Sequence, residues 1–124
     1  MRTSASSPFT YSALKRMALA LPEVTDSTSY GTPALKVRGK LMARLKEDKQ
    51  TVALRTTWEE RERLLATYPE VFFITEHYRN YSWALLRLPE STRELAKQVL
   101  ELAWSLTAPK SLVANRAPGF RHDA

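Results

Sequence analysis

Residues 76–83, EHYRNYSW, gather more chemically versatile side chains than any other segment of the sequence. A histidine, an arginine and three aromatic residues stand there within eight positions. Such a segment is typical of a pocket wall or a stacking surface for bases, and equally of a hairpin loop that packs against a sheet edge. The pocket interpretation also includes the tyrosine of an earlier SYGTP motif. Its candidate residues are Tyr30, His77, Tyr78, Tyr81 and Trp83.

Lysines and arginines alternate with apolar residues between positions 35 and 55. Because successive side chains of a strand point to opposite faces, this spacing predicts a sheet with one apolar and one cationic face. With 19 Lys and Arg against 13 Asp and Glu, net +6, such a face is suited to DNA or another polyanion, and simple solvation of the charges is the alternative. The predicted phosphate contacts are Lys36, Arg38, Lys40, Arg44, Lys46, Arg55, Arg79 and Arg87.

The sequence offers little for catalysis. It has no cysteine and two histidines, which are not spaced as metal ligands on one helix face. The paired acids Glu47/Asp48 and Glu59/Glu60 are predicted in a turn and at a helix start, where carboxylates are ordinarily solvated. We therefore expect a protein that is not an enzyme and that needs no metal or cofactor.

The length of 124 residues and the 44% hydrophobic content predict one domain with a core of ordinary size. No apolar run approaches the roughly 20 residues that cross a membrane, and the first residues lack the apolar stretch of a secretion signal. We expect a cytoplasmic monomer. The domain is predicted at 9–114, between disordered tails at 1–8 and 115–124.

The periodicities predict an α+β fold: a helix, a three-stranded meander, a short helix, a hairpin and a long helix. The sheet is expected to be antiparallel, with about five strands and with helices on one face. The segment 26–33 is interpreted as a loop. Strands are predicted at 35–38, 41–46, 52–55, 71–75 and 82–88.

A three-residue loop, Arg38-Gly39-Lys40, is predicted between the first two strands, because it keeps apolar residues together on one face. The predicted pairs are Val37–Leu41, Leu35–Ala43 and Leu45–Val52. This register places Met42 on the outer face, among cations that meet water.

Helix boundaries are predicted from caps and from apolar spacing. The expected inward-facing residues include Trp58 in the short helix and Leu106 in the last helix. Two capping boxes are predicted, Thr57 with Glu60 and Ser91 with Glu94.

Three motifs occur in order: SYGTPALKVRGKLMARL at 29–45, FFITEHYRNYSWALLRL at 72–88 and AWSLTAPKSLVA at 103–114. Together they resemble the MmcQ/YjbR family of small bacterial proteins. The resemblance implies a CyaY-like, frataxin-like fold, also described as a double wing, and a DNA-binding role. The motif residues are Tyr30, Gly31, Thr32, Pro33, Lys36, Arg38, Gly39 and Lys40 in the first wing, and His77, Tyr78, Arg79, Tyr81, Trp83 and Arg87 in the second.

The sequence departs from these patterns in two ways. Asn80 and Ser82 stand where family members often have Gly and Pro, and Asn tolerates the left-handed conformation of such a turn. Frataxin-type iron binding is not implied, because the first helix carries Lys15 and Arg16 and has no acid before Glu23. Two functions are predicted: DNA binding through the basic sheet face and hairpin tip, or a ligand- or protein-binding module around residues 76–83.

Overall fold

The computed structural model of the protein describes residues 9–116. The predicted tail at 1–8 lies outside these residues, as does the part of the predicted C-terminal tail from 117 onward. The helices are α1 (Tyr11–Leu19), α2 (Trp58–Thr67), α3 (Arg93–Thr107) and α4 (Lys110–Ala114). The strands are β1 (Val24–Ser29), β2 (Thr32–Val37), β3 (Lys40–Leu45), β4 (Thr51–Arg55), β5 (Phe72–Phe73) and β6 (Trp83–Arg87).

One antiparallel sheet of six strands, in the order β1-β2-β3-β4-β6-β5, forms the body of the fold. The helices pack on one face, so the predicted α+β class and layering are confirmed. The core lies between that inner face and the helices, with Leu35 and Leu54 of the sheet and Leu100 and Trp104 of α3 fully or almost fully buried. No helix within residues 9–116 is long and apolar enough to cross a lipid bilayer.

Neither the short helix α4 nor strand β1 is predicted from the sequence, and β1 is the one that belongs to the sheet. Its residues, VTDSTS, are polar after Val24 and show no alternation of apolar and polar positions, which is why the segment 26–33 was interpreted as a loop. In the structure all six residues pair with β2, from Val24 opposite Val37 to Ser29 opposite Thr32. The strand is stabilised mainly by backbone hydrogen bonds at an exposed edge, and these leave little trace in side-chain patterning.

The first two hairpins are closed by two-residue turns, each ending in glycine. Tyr30 and Gly31 have φ values of 53° and 80°, and Arg38 and Gly39 have 48° and 83°. Two successive residues with positive φ define the turn type whose twist matches that of paired strands. The predicted three-residue loop at 38–40 is therefore wrong, because Lys40 belongs to β3.

A β-bulge restores the apolar face that the shorter turn would otherwise have disrupted. Leu35 pairs with Ala43 as predicted, but Lys36 pairs with Leu41, and Met42 is left without a partner. Met42 points into the core with 0% exposure, so its predicted place among the outer cations is wrong. The bulge turns Leu41 toward the outer face instead.

The β3–β4 hairpin follows the predicted register, with Leu45 opposite Val52. Its turn is held by the Asp48 carboxylate, which accepts hydrogen bonds of 2.9 Å from the backbone N–H groups of both Gln50 and Thr51. This carboxylate therefore has a structural role in the turn.

Two helix caps differ in how well they were predicted. Thr57 caps α2 as expected, accepting a hydrogen bond from the Glu60 N–H at 3.0 Å. The cap of α3 is Thr92 rather than Ser91, with the Leu95 N–H donating to its hydroxyl at 3.1 Å. Ser91 and Thr92 are adjacent in sequence and both are good capping residues. The sequence therefore did not distinguish them, and the predicted start of the helix is one residue too early.

Two large apolar residues predicted to face inward are exposed: Trp58 by 52% and Leu106 by 40%. The buried side of α3 instead passes through Ala103, Trp104 and Thr107. The indole N–H of Trp104 donates to the carbonyl of Pro22 at 2.8 Å, which fixes the connection between α1 and β1 to the last long helix.

Candidate functional site

The outer face of the sheet, opposite α1 and α3, is covered in part by its own loops and side chains. Ala53 of β4 lies opposite Arg44 on β3 and Leu85 on β6. Ala53 and Leu85 are almost fully buried although they lie outside the main core cluster. These two side chains form an apolar surface on the outer face, which we call the floor. Side chains of the surrounding strands and loops cover this floor as a second layer.

A cleft of about 520 Å³ opens on this floor. Its walls come from the β1–β2 turn, from β3 and β4, and from the connection between β5 and β6. We call it the aromatic cleft. It is lined by Tyr30, Leu41, Arg44, Glu47, Ala53, His77, Tyr78, Tyr81 and Trp83. All five residues that the sequence suggested for a pocket therefore meet at one place.

Arg61 of α2 fixes the loop that forms one wall. Its guanidinium is buried and its Nη1 donates to the backbone carbonyls of Tyr78, Arg79 and Tyr81 at 3.1, 3.1 and 2.8 Å. A planar cation with several donors suits this cluster of three carbonyls. The sequence alone does not distinguish Arg61, because it stands in the charged run EERER among residues that are expected to be solvated.

Three rings of the cleft each have a cation against them. The Arg44 guanidinium lies 5.2 Å from the centre of the Tyr30 ring, Lys46 Nζ lies 5.1 Å from that of Tyr78, and the Arg55 guanidinium lies 4.9 Å from that of Trp83. These are cation–π distances, and they hold the rings and the cations in one layer. His77 adds an edge-on contact to Tyr78, with ring centres 5.0 Å apart.

Several predicted phosphate contacts have carboxylate partners. Arg38 donates to both oxygens of Glu23 at 2.6 and 2.9 Å, and Arg44 donates to Glu47 at 2.6 Å. The remaining pairs are longer, Arg79–Glu76 at 3.8 Å and Lys46–Glu47 at 4.0 Å. The expectation that the sheet cations project freely into water is wrong for Arg44, which is only 6% exposed.

The other four predicted contacts have no carboxylate within 4 Å among residues 9–116; they are Lys36, Lys40, Arg55 and Arg87. Two of them are engaged with the backbone. Arg55 donates to the Leu41 carbonyl at 2.9 and 3.3 Å, and Arg87 donates to those of Pro69 and Glu70 at 3.4 and 3.2 Å.

A family model described as YjbR matches residues 19–106, which is most of the chain and includes every wall of the aromatic cleft. The chain belongs to the YjbR family. The family membership predicted from the three sequence motifs is thus confirmed.

The fold of this YjbR protein is similar to the crystal structure of the Deinococcus radiodurans protein DR2400, which has a DUF419 domain. The TM-score is 0.68 at 20% sequence identity, with 79% of this chain and 78% of the other covered. At that identity the likeness concerns the fold. No curated protein matches the chain.

The electrostatics of the cleft in this YjbR protein centre on the Arg44–Glu47 pair. The backbone N–H of Glu47 itself and then the Arg44 guanidinium lower the pKa of the Glu47 carboxyl, which is therefore ionised at neutral pH. Burial lowers the pKa of Arg55, but an arginine stays protonated. The cleft lining therefore contains one cation, Arg44, and one anion, Glu47, and two further cations, Lys46 and Arg55, lie against its rings.

A second cleft of about 480 Å³ lies between α1 and α3 of the YjbR fold. Its described lining includes Arg93 and Lys97 together with Glu94 and Glu101, and it contains no aromatic side chain. Among the described residues of the protein, no three His, Cys, Asp or Glu side chains lie close enough to hold a metal ion. The aromatic cleft is therefore the site whose chemistry is most distinctive.

Proposed function

We propose that this YjbR protein is a non-catalytic binding module that holds a planar organic ligand in the aromatic cleft. One observation carries the proposal: side chains distant in sequence, from Tyr30 to Trp83, line a single cleft of about 520 Å³. The volume lies within the roughly 300–1,000 Å³ usual for small-molecule sites. Four aromatic side chains around an apolar floor favour a ligand with a flat face.

The wall geometry supports a preformed site. Buried Arg61 fixes the carbonyls of the loop that carries Tyr78 and Tyr81, while cations hold the rings of Tyr30 and Trp83 from one side. Side chains that are held before the ligand arrives lose little conformational freedom on binding. Tyr30 is 88% exposed and Tyr81 54%, so the preformed part of the wall is Tyr78 and Trp83, which favours affinity without requiring a reactive group.

Titration of the protein with two neutral planar probes, 2-naphthamide and adenosine, tests this proposal. Isothermal calorimetry should show saturable one-to-one binding of at least one probe. Trp83→Leu should weaken that binding about fivefold or more, since loss of one stacking surface costs roughly 1–3 kcal/mol. The matched control is Phe73→Leu, which removes a ring that lies against Arg87 and does not line the cleft.

Equal losses in the Trp83→Leu and Phe73→Leu variants would contradict the proposal, because the binding would then not depend on the cleft. Absence of saturable binding for both probes would contradict it as well. Circular dichroism of each variant establishes that a loss of affinity is measured on folded protein.

Binding of nucleic acid is the second candidate. The supporting observation is that Lys36 of β2 pairs with Leu41, which lines the cleft, so this cation and the stacking rings share the outer face. Single strands are bound in this way, by aromatic stacking and by backbone charges.

A filter-binding titration with a single-stranded oligonucleotide at 50 and 200 mM salt tests this candidate. About four phosphate contacts predict a loss of affinity of roughly fiftyfold between the two salt concentrations. No affinity for single- or double-stranded DNA at 50 mM salt would contradict it. Calorimetry with the neutral probes is independent of that result.

A further inference from the structure

Arg44 places a buried positive charge in the wall of the aromatic cleft. Its side chain is 7% exposed. Nε donates to the Ser29 carbonyl at 3.0 Å and Nη2 donates to Glu47 Oε2 at 2.6 Å. Among the described residues no hydrogen bond uses Nη1. A buried guanidinium requires an anionic partner, because leaving it unpaired costs far more than leaving a solvated charge unpaired.

Glu47 supplies that partner from the solvent side. It follows β3 at the start of the turn to β4, and 66% of its side chain is exposed. Its neighbour Asp48 holds the turn through three hydrogen bonds, so the turn does not depend on the Glu47 side chain. Rotation of Glu47 into water would leave its carboxylate fully hydrated while Arg44 needed a replacement anion.

The remaining charges of the cleft select for an anion and against a cation. An aromatic cleft with a carboxylate resembles a site for quaternary ammonium ions, which bind over ring faces. Here the rings of Tyr30, Tyr78 and Trp83 already have a protein cation against one face. A further cation would add repulsion at these short distances, whereas an anion would meet a positive field.

We infer that the aromatic cleft takes a planar aromatic acid, whose oxyanion displaces Glu47 from Arg44. This inference rests on the proposed binding function and adds the class of ligand. Glu47 is a resident counter-ion that neutralises Arg44 in the free protein and competes with the ligand. A carboxylate and a phosphate monoester share the required chemistry, since both present two coplanar oxygens to a guanidinium.

The test compares 2-naphthoate and 2-naphthyl phosphate with neutral 2-naphthamide by calorimetry, on the wild-type protein and on Glu47→Gln. The variant removes the competing charge but keeps the size of the side chain. Glu47→Gln should tighten at least one of the two anions about tenfold and should change the affinity for 2-naphthamide less than twofold. The anion with the larger gain identifies the headgroup.

The matched control is Glu76→Gln. Glu76 lies in the loop that carries His77 and Tyr78, does not line the cleft, and pairs with exposed Arg79 at 3.8 Å. Both variants make the net charge more positive by one. Glu76→Gln therefore measures how much the change in net charge alone affects the affinity for the anions. It should change the affinity for the anions less than twofold.

Equal tightening in the two variants would overturn the inference, because the effect would not come from releasing Arg44. So would a Glu47→Gln variant that binds the anions no better than the wild type while 2-naphthamide still binds, a result that leaves the binding function intact. Failure of all three probes to bind would overturn the inference, and failure of adenosine to bind as well would overturn the binding function.

Discussion

Arg61 shows how one residue can fix a site that it does not line. It contributes no atom to the aromatic cleft, yet the carbonyls of Tyr78, Arg79 and Tyr81 all accept from its Nη1. These carbonyls would have no comparable donor if the guanidinium were lost. The shape of this cleft wall therefore depends on a side chain of α2 that does not itself line the cleft.

Arg61→Met should destabilise the protein by about 2–4 kcal/mol, because a buried charged donor is lost and its acceptors are left unsatisfied. The free energy of unfolding from urea denaturation measures this loss. The matched control is Arg63→Met on the same helix. Arg63 is half exposed and pairs with Glu60 at 2.8 Å, so its loss should cost less than about 1 kcal/mol. Similar losses in both variants would contradict the assigned role of Arg61.

The ionisation of Tyr11 makes the stability of the fold depend on pH. Burial, and then the charge of Asp26, raise the pKa of Tyr11 from 10.0 to about 12. Its buried hydroxyl has no hydrogen-bond partner among the described residues. The folded state therefore favours the neutral phenol, and this contribution is complete below pH 10 and is lost as the pH rises through 12.

Tyr11→Phe removes that titration. Urea denaturation at pH 8, 9 and 11.5 should show a constant stability difference between wild type and variant at the two lower values. At pH 11.5 the wild type should have lost stability relative to the variant. Parallel stability curves across the whole range would mean that Tyr11 titrates normally in the folded protein.

Residue types alone predicted the aromatic and histidine side chains of the site but not the pairing of its charged side chains. The five aromatic and histidine candidates were recognisable because they cluster in two motifs. Arg44 and Glu47 were interpreted as a phosphate contact and a solvated turn residue, because alternation along a strand says nothing about which cations are covered. Their pairing depends on a turn and a bulge that only the folded chain displays.

At the scale of elements, the β1–β2 hairpin brings Tyr30 to the cleft. The turn places Tyr30 and Gly31 at positive φ, and the Tyr30 ring lies over Arg44 of the neighbouring strand. The sequence predicted the importance of this tyrosine without predicting the strand before it. Hydrophobic periodicity detects strands that bury one face, and β1 buries little beyond Val24.

Gly31→Ala and Gly39→Ala form a matched pair at the two hairpin turns. A Cβ at either position would meet no atom within 4 Å, so the cost is conformational and comes from positive φ. Each variant should lose about 1–2 kcal/mol of unfolding free energy. Only Gly31→Ala should also weaken 2-naphthamide binding, because it strains the turn that holds Tyr30.

Equal stability losses with equal binding losses would contradict the assignment of Tyr30 to the site. The comparison separates a general loosening of the sheet from a local displacement of the cleft wall. Calorimetry well below the unfolding midpoint of each variant keeps the protein folded during the titration.

Across the whole molecule the two faces of the sheet have different roles. Helices cover the inner face and form the core, while the outer face carries an apolar floor, four aromatic side chains and paired charges. The layering and the family could be predicted from the sequence, because they follow from alternation, capping residues and motif order. Part of the predicted cationic face is a mixed layer, in which Arg44, Lys46 and Arg55 lie against rings and Arg44 also against a carboxylate.

The most direct test of this account is a map of nuclear magnetic resonance shift changes as 2-naphthoate is added to the isotopically labelled protein. We expect the largest changes at the amides of Tyr30, Glu47 and residues 77–83 and at the Trp83 indole N–H. The helices α1 and α3 should be unaffected. Largest changes at Met17, Leu21 and Lys97, around the second cleft, would place the ligand on the opposite side of the sheet and would contradict the account.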